Sequence, residues 1–168
     1  NVIWAGSDDG MLSKTEDGGA TWEEVTPSGN KDGMVNSIEI SPHDENTVYI
    51  TTPRYKYDDH KPYIYKTTNN GRSWKMITDG IPDGSFVRVV REDPVRPGLL
   101  YAGTETGMYI SVDGGDSWQA YQQNLPTVPV TDIQVNGYDL AISTQGRAFW
   151  VLDDISPLRQ EVEERDED

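Results

Sequence analysis

The stretch with the most chemical reach is PRYKYDDHKPY, residues 53–63, which carries Arg54, Tyr55, Lys56, Tyr57, Asp58, Asp59 and His60. Aromatic faces set beside carboxylates and a guanidinium are the groups that bind sugars. Cleaving a glycosidic bond asks for more: two carboxyl groups about 5–9.5 Å apart, one with a raised pKa. Asp58, Asp59 and Glu105 are the catalytic candidates, with Asp8 and Asp9 in a neighbouring turn. Acid pairs also occur at Glu23-Glu24, Asp44-Glu45, Glu92-Asp93 and Asp153-Asp154, so pairing alone selects no site. The same segment equally suits a plain polar loop whose tyrosine rings pack on a neighbouring sheet.

Other chemistries find less support. His43 and His60 are the only histidines, too few for a histidine-rich metal site. The acidic runs lack the ordered ligand spacing of a calcium-binding EF-hand loop. The absence of cysteine excludes disulfides, thiolate zinc sites and cysteine nucleophiles together. GSDDG and GTETG read as turns, since no strand–GxxxxGK–helix context surrounds them. Two loop histidines give no Ser-His-Asp constellation. No metal and no cofactor is therefore expected. With 29 acids against 14 bases, a net charge of −15 repels phosphate backbones, so a nucleic-acid partner is not expected either. No apolar run approaches the roughly 20 residues of a membrane helix. The chain opens at Asn1 inside what reads as a strand, and is expected to be part of something longer.

The elements that must carry these residues are announced by a repeat. TEDGGATW (15–22), TTNNGRSW (67–74) and SVDGGDSW (111–118) share one order: hydroxyl, any, Asp or Asn, any, Gly, any, hydroxyl, Trp. The tryptophans Trp22, Trp74 and Trp118 lie 52 and 44 residues apart, the length of a four-stranded propeller blade. Short β-type runs at 35–40, 47–51, 63–67 and 73–77 recur in the same order at 86–90, 99–103, 108–111 and 117–121. Three runs precede them (2–6, 11–15, 21–25) and three follow (130–135, 139–144, 148–152). The fold class is all-β: a propeller of four-stranded antiparallel blades, spanning residues 1–157. Full blades are expected at 34–79 and 85–123 and partial ones at 1–27 and 129–154. A lone blade cannot bury both faces. The segment is thus expected to be an arc of a larger propeller, or to close against other blades or a second copy. Residues 158–168 hold a dense run of acids and read as a frayed tail.

Physics gives the octet a structural task. Gly19, Gly71 and Gly115 can take positive φ in a hairpin turn without a Cβ clash. Asp17, Asn69 and Asp113 can accept backbone N–H bonds inside it, and Thr15, Thr67 and Ser111 can complete the network. The tryptophan then opens the last strand and can wedge between sheets. Asn69 keeps an acceptor while losing the charge, a swap that a metal or acid–base role would tolerate poorly. The motif holds a corner together.

These octets resemble the Asp-box, or BNR, repeat, whose pattern is Ser/Thr-x-Asp-x-Gly-x-Thr-Trp. The longer text, such as YIYKTTNNGRSW and AISTQGRAFWVLDD, is similar to large bacterial proteins with a sortilin-like propeller, commonly labelled BNR-repeat glycosyl hydrolases. The resemblance covers residues 1 to about 160 and implies an extracytoplasmic setting. It also implies that ligands meet the rim opposite the octets. There the second-to-third strand loops and the blade connections gather Arg54, Tyr55, Tyr57, Asp58, Asp59, His60, Glu105 and Arg147. A sialidase would want three rim arginines and a tyrosine nucleophile; only Arg54 and Arg147 answer to the arginines. The expectation is a non-catalytic binding or scaffold module for a glycan or protein. The alternative is a fragment of a sortilin-like or xyloglucanase-type glycoside hydrolase with its carboxylates on the same rim.

Overall fold

The computed structural model describes residues 1–30 and 32–166. Fourteen strands form four antiparallel sheets that follow the chain in order. The first is three-stranded: β1 (Ile3–Gly6), β2 (Leu12–Thr15) and β3 (Glu23–Glu24). The second joins β4 (Ser37–Ile40), β5 (Val48–Thr51), β6 (Ile64–Thr67) and β7 (Lys75–Met76). The third joins β8 (Val87–Glu92), β9 (Leu100–Thr104), β10 (Met108–Ser111) and β11 (Gln119–Ala120). The fourth has β12 (Val130–Asn136), β13 (Asp139–Thr144) and β14 (Phe149–Leu152). Two full blades thus stand between two partial ones, an open propeller arc in which β4 lies against β8 and β8 against β12.

The short strands work because each sheet buries its faces on its neighbours. Leu12, Val25, Val48, Ile50 and Tyr65 fill the space between the first and second sheets. Tyr49, Ile64, Ile77, Val90, Leu100 and Trp118 fill the second gap, and Leu99, Tyr101, Met108, Ile133, Leu140 and Ile142 the third. Val48, Tyr49 and Ile50 are consecutive and all buried, so a central strand here faces a core on both sides and loses the simple alternation of a one-sided sheet.

The octets form three near-identical corners. Thr15 Oγ1, Thr67 Oγ1 and Ser111 Oγ each accept the N–H of the octet glycine, at 2.9, 3.0 and 2.9 Å, and donate to the acidic or amide side chain two residues on. That side chain accepts the N–H of Thr21, Ser73 or Ser117, each at 2.9 Å. Gly115 has φ +96°, and a Cβ there would stand 2.4 Å from Ile77 Cδ1, so only glycine fits against the preceding sheet. The wedge is real for two tryptophans. Trp74 Nε1 donates to the Val25 carbonyl at 2.8 Å and Trp118 Nε1 to the Ile77 carbonyl at 2.9 Å. Among the described residues no sheet precedes that of Trp22, which is 49% exposed.

The tail departs from expectation. Residues Ser156–Asp166 form helix α1 in place of a frayed end, and Ile155, Leu158, Arg159 and Val162 are buried. Ile155, Leu158 and Val162, at helical spacing, dock the helix on the third and fourth sheets. Asp93, itself fully buried, takes Arg159 Nη2 on Oδ2 at 3.1 Å, the Tyr101 hydroxyl at 2.9 Å and the N–H groups of Val95 and Arg96. Residues 167–168 of the expected tail lie outside the described residues. Among the described residues no helix is long and apolar enough to cross a membrane.

Candidate binding rim

Blade connections and second-to-third strand loops do meet on one rim. The Gly84 N–H reaches the His60 carbonyl, the Glu105 N–H the Phe86 carbonyl and the Gln145 N–H the Pro129 carbonyl, at 2.9–3.0 Å. Asn30 ties the first of these loops together by donating to the Gly10 and Gly33 carbonyls, each at 3.0 Å.

The 53–63 segment folds as a one-turn 3-10 helix, Tyr55–Tyr57, closed by Asp58 in the left-handed region at φ 59°. An isolated bridge from Arg54 to Asp59 pins its base. Arg54 is largely enclosed: it donates to the Gly29 carbonyl at 2.6 Å, lies 4.2 Å over the Tyr63 ring and stands 4.0 Å from Asp59 Oδ2. Tyr55 stacks on Phe86 with centroids 5.0 Å apart, and His60 meets the same Phe86 edge-on at 5.8 Å. Arg88 covers the stack from the side, 5.0 Å from the Phe86 ring and 5.8 Å from Tyr55, and binds Glu105 Oε2 at 2.6 Å. The result is an aromatic platform edged by one ion pair.

Electrostatics favours the ionised form of Asp59 and Asp9. Burial pushes the Asp59 carboxyl up, but the Tyr63 hydroxyl at 2.8 Å, the Lys61 N–H at 3.2 Å and the Arg54 charge outweigh it and leave the group below the ordinary carboxylate range. Asp9 is likewise lowered, by the Ser7 hydroxyl and the Met11 N–H, as part of its own turn. Asp58 is exposed, 3.6 Å from His60 Nε2.

Of the residues singled out in the sequence, Tyr55, His60 and Glu105 converge on the platform, with Arg54 and Asp59 bracing it from behind. Tyr57 points to solvent from the same turn. Arg147 sits one sheet further on, where its carbonyl accepts Trp150 Nε1 at 2.9 Å; among the described residues its guanidinium joins none of the contacts around Tyr55. Sequence reasoning missed Phe86, Arg88 and Tyr63. Phe86 and Arg88 were hidden inside the strand-like run FVRVV, where a single arginine at an inward-reading position was the available signal.

Residues 10–144 match the family model described as sortilin, neurotensin receptor 3. The vacuolar protein sorting/targeting protein 10 of Colletotrichum graminicola is 26% identical over 86 residues, which are 51% of this chain and 5% of that protein. Among solved structures, YCF48 bound to D1 peptide aligns over 89% of this chain and 47% of its own, at TM-score 0.64 and 22% identity. The Niastella koreensis GH74 enzyme aligns over 91% of this chain and 26% of its own, at TM-score 0.71 and 17% identity. The GH74 xyloglucanase from Xanthomonas campestris aligns over 91% and 27%, at TM-score 0.68 and 15% identity. At these identities the structural likeness speaks for the fold alone. The chain spans less than half the length of every one of these proteins.

Proposed function

We propose, from the premise that this chain belongs to the Sortilin-Vps10 family of β-propellers, that it is a non-catalytic binding module whose 53–63 rim takes a glycan or a protein in an extracytoplasmic setting. One observation carries this reading: of the rim carboxylates near the platform, Asp59 and Glu105 are both engaged, which leaves Asp58 exposed and without an enclosed carboxyl partner. Asp59 is held ionised by Tyr63, Lys61 and Arg54, and Glu105 is locked to Arg88. A general acid must hold a proton at the working pH, which a lowered pKa opposes. Tyr55, backed by the buried Phe86 ring, and Tyr57 beside it present exposed aromatic area without that chemistry.

The test is a glycan and protein array probed with the 168-residue chain, run beside a reducing-end assay on polysaccharides. Retention without turnover is expected, and the double change Tyr55→Ala, Tyr57→Ala weakens retention about tenfold, since stacked rings contribute about 1–2 kcal/mol. Turnover abolished by Asp58→Asn or Asp59→Asn overturns the reading in favour of a glycoside hydrolase.

A further inference from the structure

Asparagine followed by glycine occurs twice in the chain, at Asn70-Gly71 and Asn136-Gly137. The pair is chemically vulnerable wherever it can bend, because a glycine amide nitrogen has no side chain shielding it from the asparagine carboxamide. The two copies are held very differently. In the second-blade corner the Gly71 N–H donates to Thr67 Oγ1 at 3.0 Å, and Asn70 Nδ2 donates to Glu16 Oε1 at 2.9 Å. Nucleophile and leaving group are both engaged there. At the other copy Asn136 ends β12 opposite Asp139, and Gly137 and Tyr138 make the turn. Asn136 and Gly137 are exposed, and nothing lies within 4 Å of where a Cβ on Gly137 would stand. Among the described residues no hydrogen bond takes the Gly137 N–H or the Asn136 carboxamide.

This turn is latched through its carbonyls, by residues at the start of α1. Arg159 Nη2 donates to the Gly137 carbonyl at 2.8 Å, and the Ile155 N–H to the Tyr138 carbonyl at 3.0 Å. The Arg159 guanidinium also lies 5.4 Å over the Tyr138 ring while it pairs with the buried Asp93. The turn and the docking of α1 therefore share one guanidinium.

We propose that Asn136-Gly137 is a site of spontaneous deamidation, gated by α1, whose isoaspartyl product loosens that helix. The Gly137 nitrogen gives up its proton and bonds to Asn136 Cγ. The Cγ–Nδ2 bond breaks, and the amide leaves as ammonia with that proton. Water then opens the succinimide ring. Attack at Cγ gives aspartate, and attack at the main-chain carbonyl gives isoaspartate, whose backbone runs through Cβ and Cγ. One extra main-chain carbon then displaces the Gly137 carbonyl from Arg159. Ring closure turns the Cα–C bond of Asn136 out of the extended geometry of a strand. The reaction thus proceeds from an opened hairpin, and the two latches from α1 restrain that opening.

The test holds the 168-residue chain in mildly alkaline buffer and follows it by peptide mapping. The peptide carrying Asn136 gains one dalton at least about tenfold faster than the peptide carrying Asn70, because a smaller opening suffices. Leu158→Ala, which loosens α1 and leaves the Asp93–Arg159 pair in place, raises the Asn136 rate further. Should Leu158→Ala fail to fold, the parent chain in urea below its unfolding midpoint gives the same comparison. The isoaspartyl fraction, separated by ion exchange, shows faster hydrogen exchange over residues 156–162. Asn136→Asp, which adds the charge without the extra carbon, keeps the parent's protection. The proposal is overturned by an Asn136 that stays intact or reacts no faster than Asn70, or by a rate indifferent to α1. It is overturned equally by an isoaspartyl chain whose helix exchanges like the parent's, or by Asn136→Asp loosening the helix as much. The rim reading stands or falls separately, since none of these residues belongs to it.

Discussion

At the scale of single residues, the octets provide their own controlled comparison. Asn69 does in the second blade what Asp113 does in the third: Oδ1 accepts the N–H four residues on at 2.9 Å, while the second atom meets a hydroxyl. Only the direction of that last bond changes, because the amide donates to Ser73 where the carboxylate accepts from Ser117. Asp113→Asn is therefore expected to cost under about 1 kcal/mol, and Asp113→Ala about 1–2 kcal/mol, in urea unfolding. Acid sharpens the comparison at Asp17. The Thr21 N–H and hydroxyl and the Thr15 hydroxyl hold its pKa well below the ordinary carboxylate range. A depressed folded pKa contributes stability present above the unfolded value and lost as pH falls towards the folded one. Asp17→Asn should accordingly show a shallower loss of Tm below about pH 4 than the parent chain. These corners were legible in advance, since their order of side chains has one physical use and Asn69 excludes the rest. The rim was not. Arg54 and Asp59 looked like ligand groups, yet they brace the loop from behind, and which face of a loop a side chain takes is decided by tertiary contacts.

Elements tell a similar story. All fourteen strand runs were readable, because aromatic and β-branched residues recur between turn formers at blade spacing. Helix α1 was misjudged by weighing its acids against packing, although Ile155, Leu158 and Val162 already lay at helical spacing. Its docking depends on a buried ion pair, Arg159 with Asp93, whose side chains are 8% and 0% exposed. Removing one partner strands the other charge in the core, so Asp93→Ala should cost about 3–5 kcal/mol and release α1 to rapid hydrogen exchange. The tryptophans grade the same way by neighbour. Trp118 is 5% exposed and bonded across the gap, and Trp118→Ala should cost about 3–5 kcal/mol. Trp22, with no sheet before it among the described residues, should tolerate alanine to within about 0.5 kcal/mol. Equal losses at both positions in denaturant melts would contradict the view that the wedge acts between sheets and not within them.

For the whole molecule, the question is what keeps successive blades in register around an axis when each apolar gap is non-directional. Arg91 on β8 gives part of the answer. It reaches back to Glu39 at 3.4 Å and Ser37 Oγ at 3.2 Å on β4, and forward to Asp132 at 2.8 Å and the Ile133 carbonyl at 3.2 Å on β12. One guanidinium thus joins the inner strands of three consecutive sheets. Burial pushes the Glu39 carboxyl above the ordinary glutamate range, and the Arg91 charge and the Glu92 N–H partly offset it. A raised folded pKa means the folded state favours the protonated acid, so the burden of Glu39 appears as pH rises through that range and fades as pH falls through it. Taking Arg91 away removes the offset. Arg91→Ala is expected to lose about 1–3 kcal/mol at pH 7 and markedly less near pH 5, measured by urea unfolding at both. A deficit of the same size at both values would mean that Arg91 serves by packing alone, and that register along the arc is set by the three apolar gaps without help from charge.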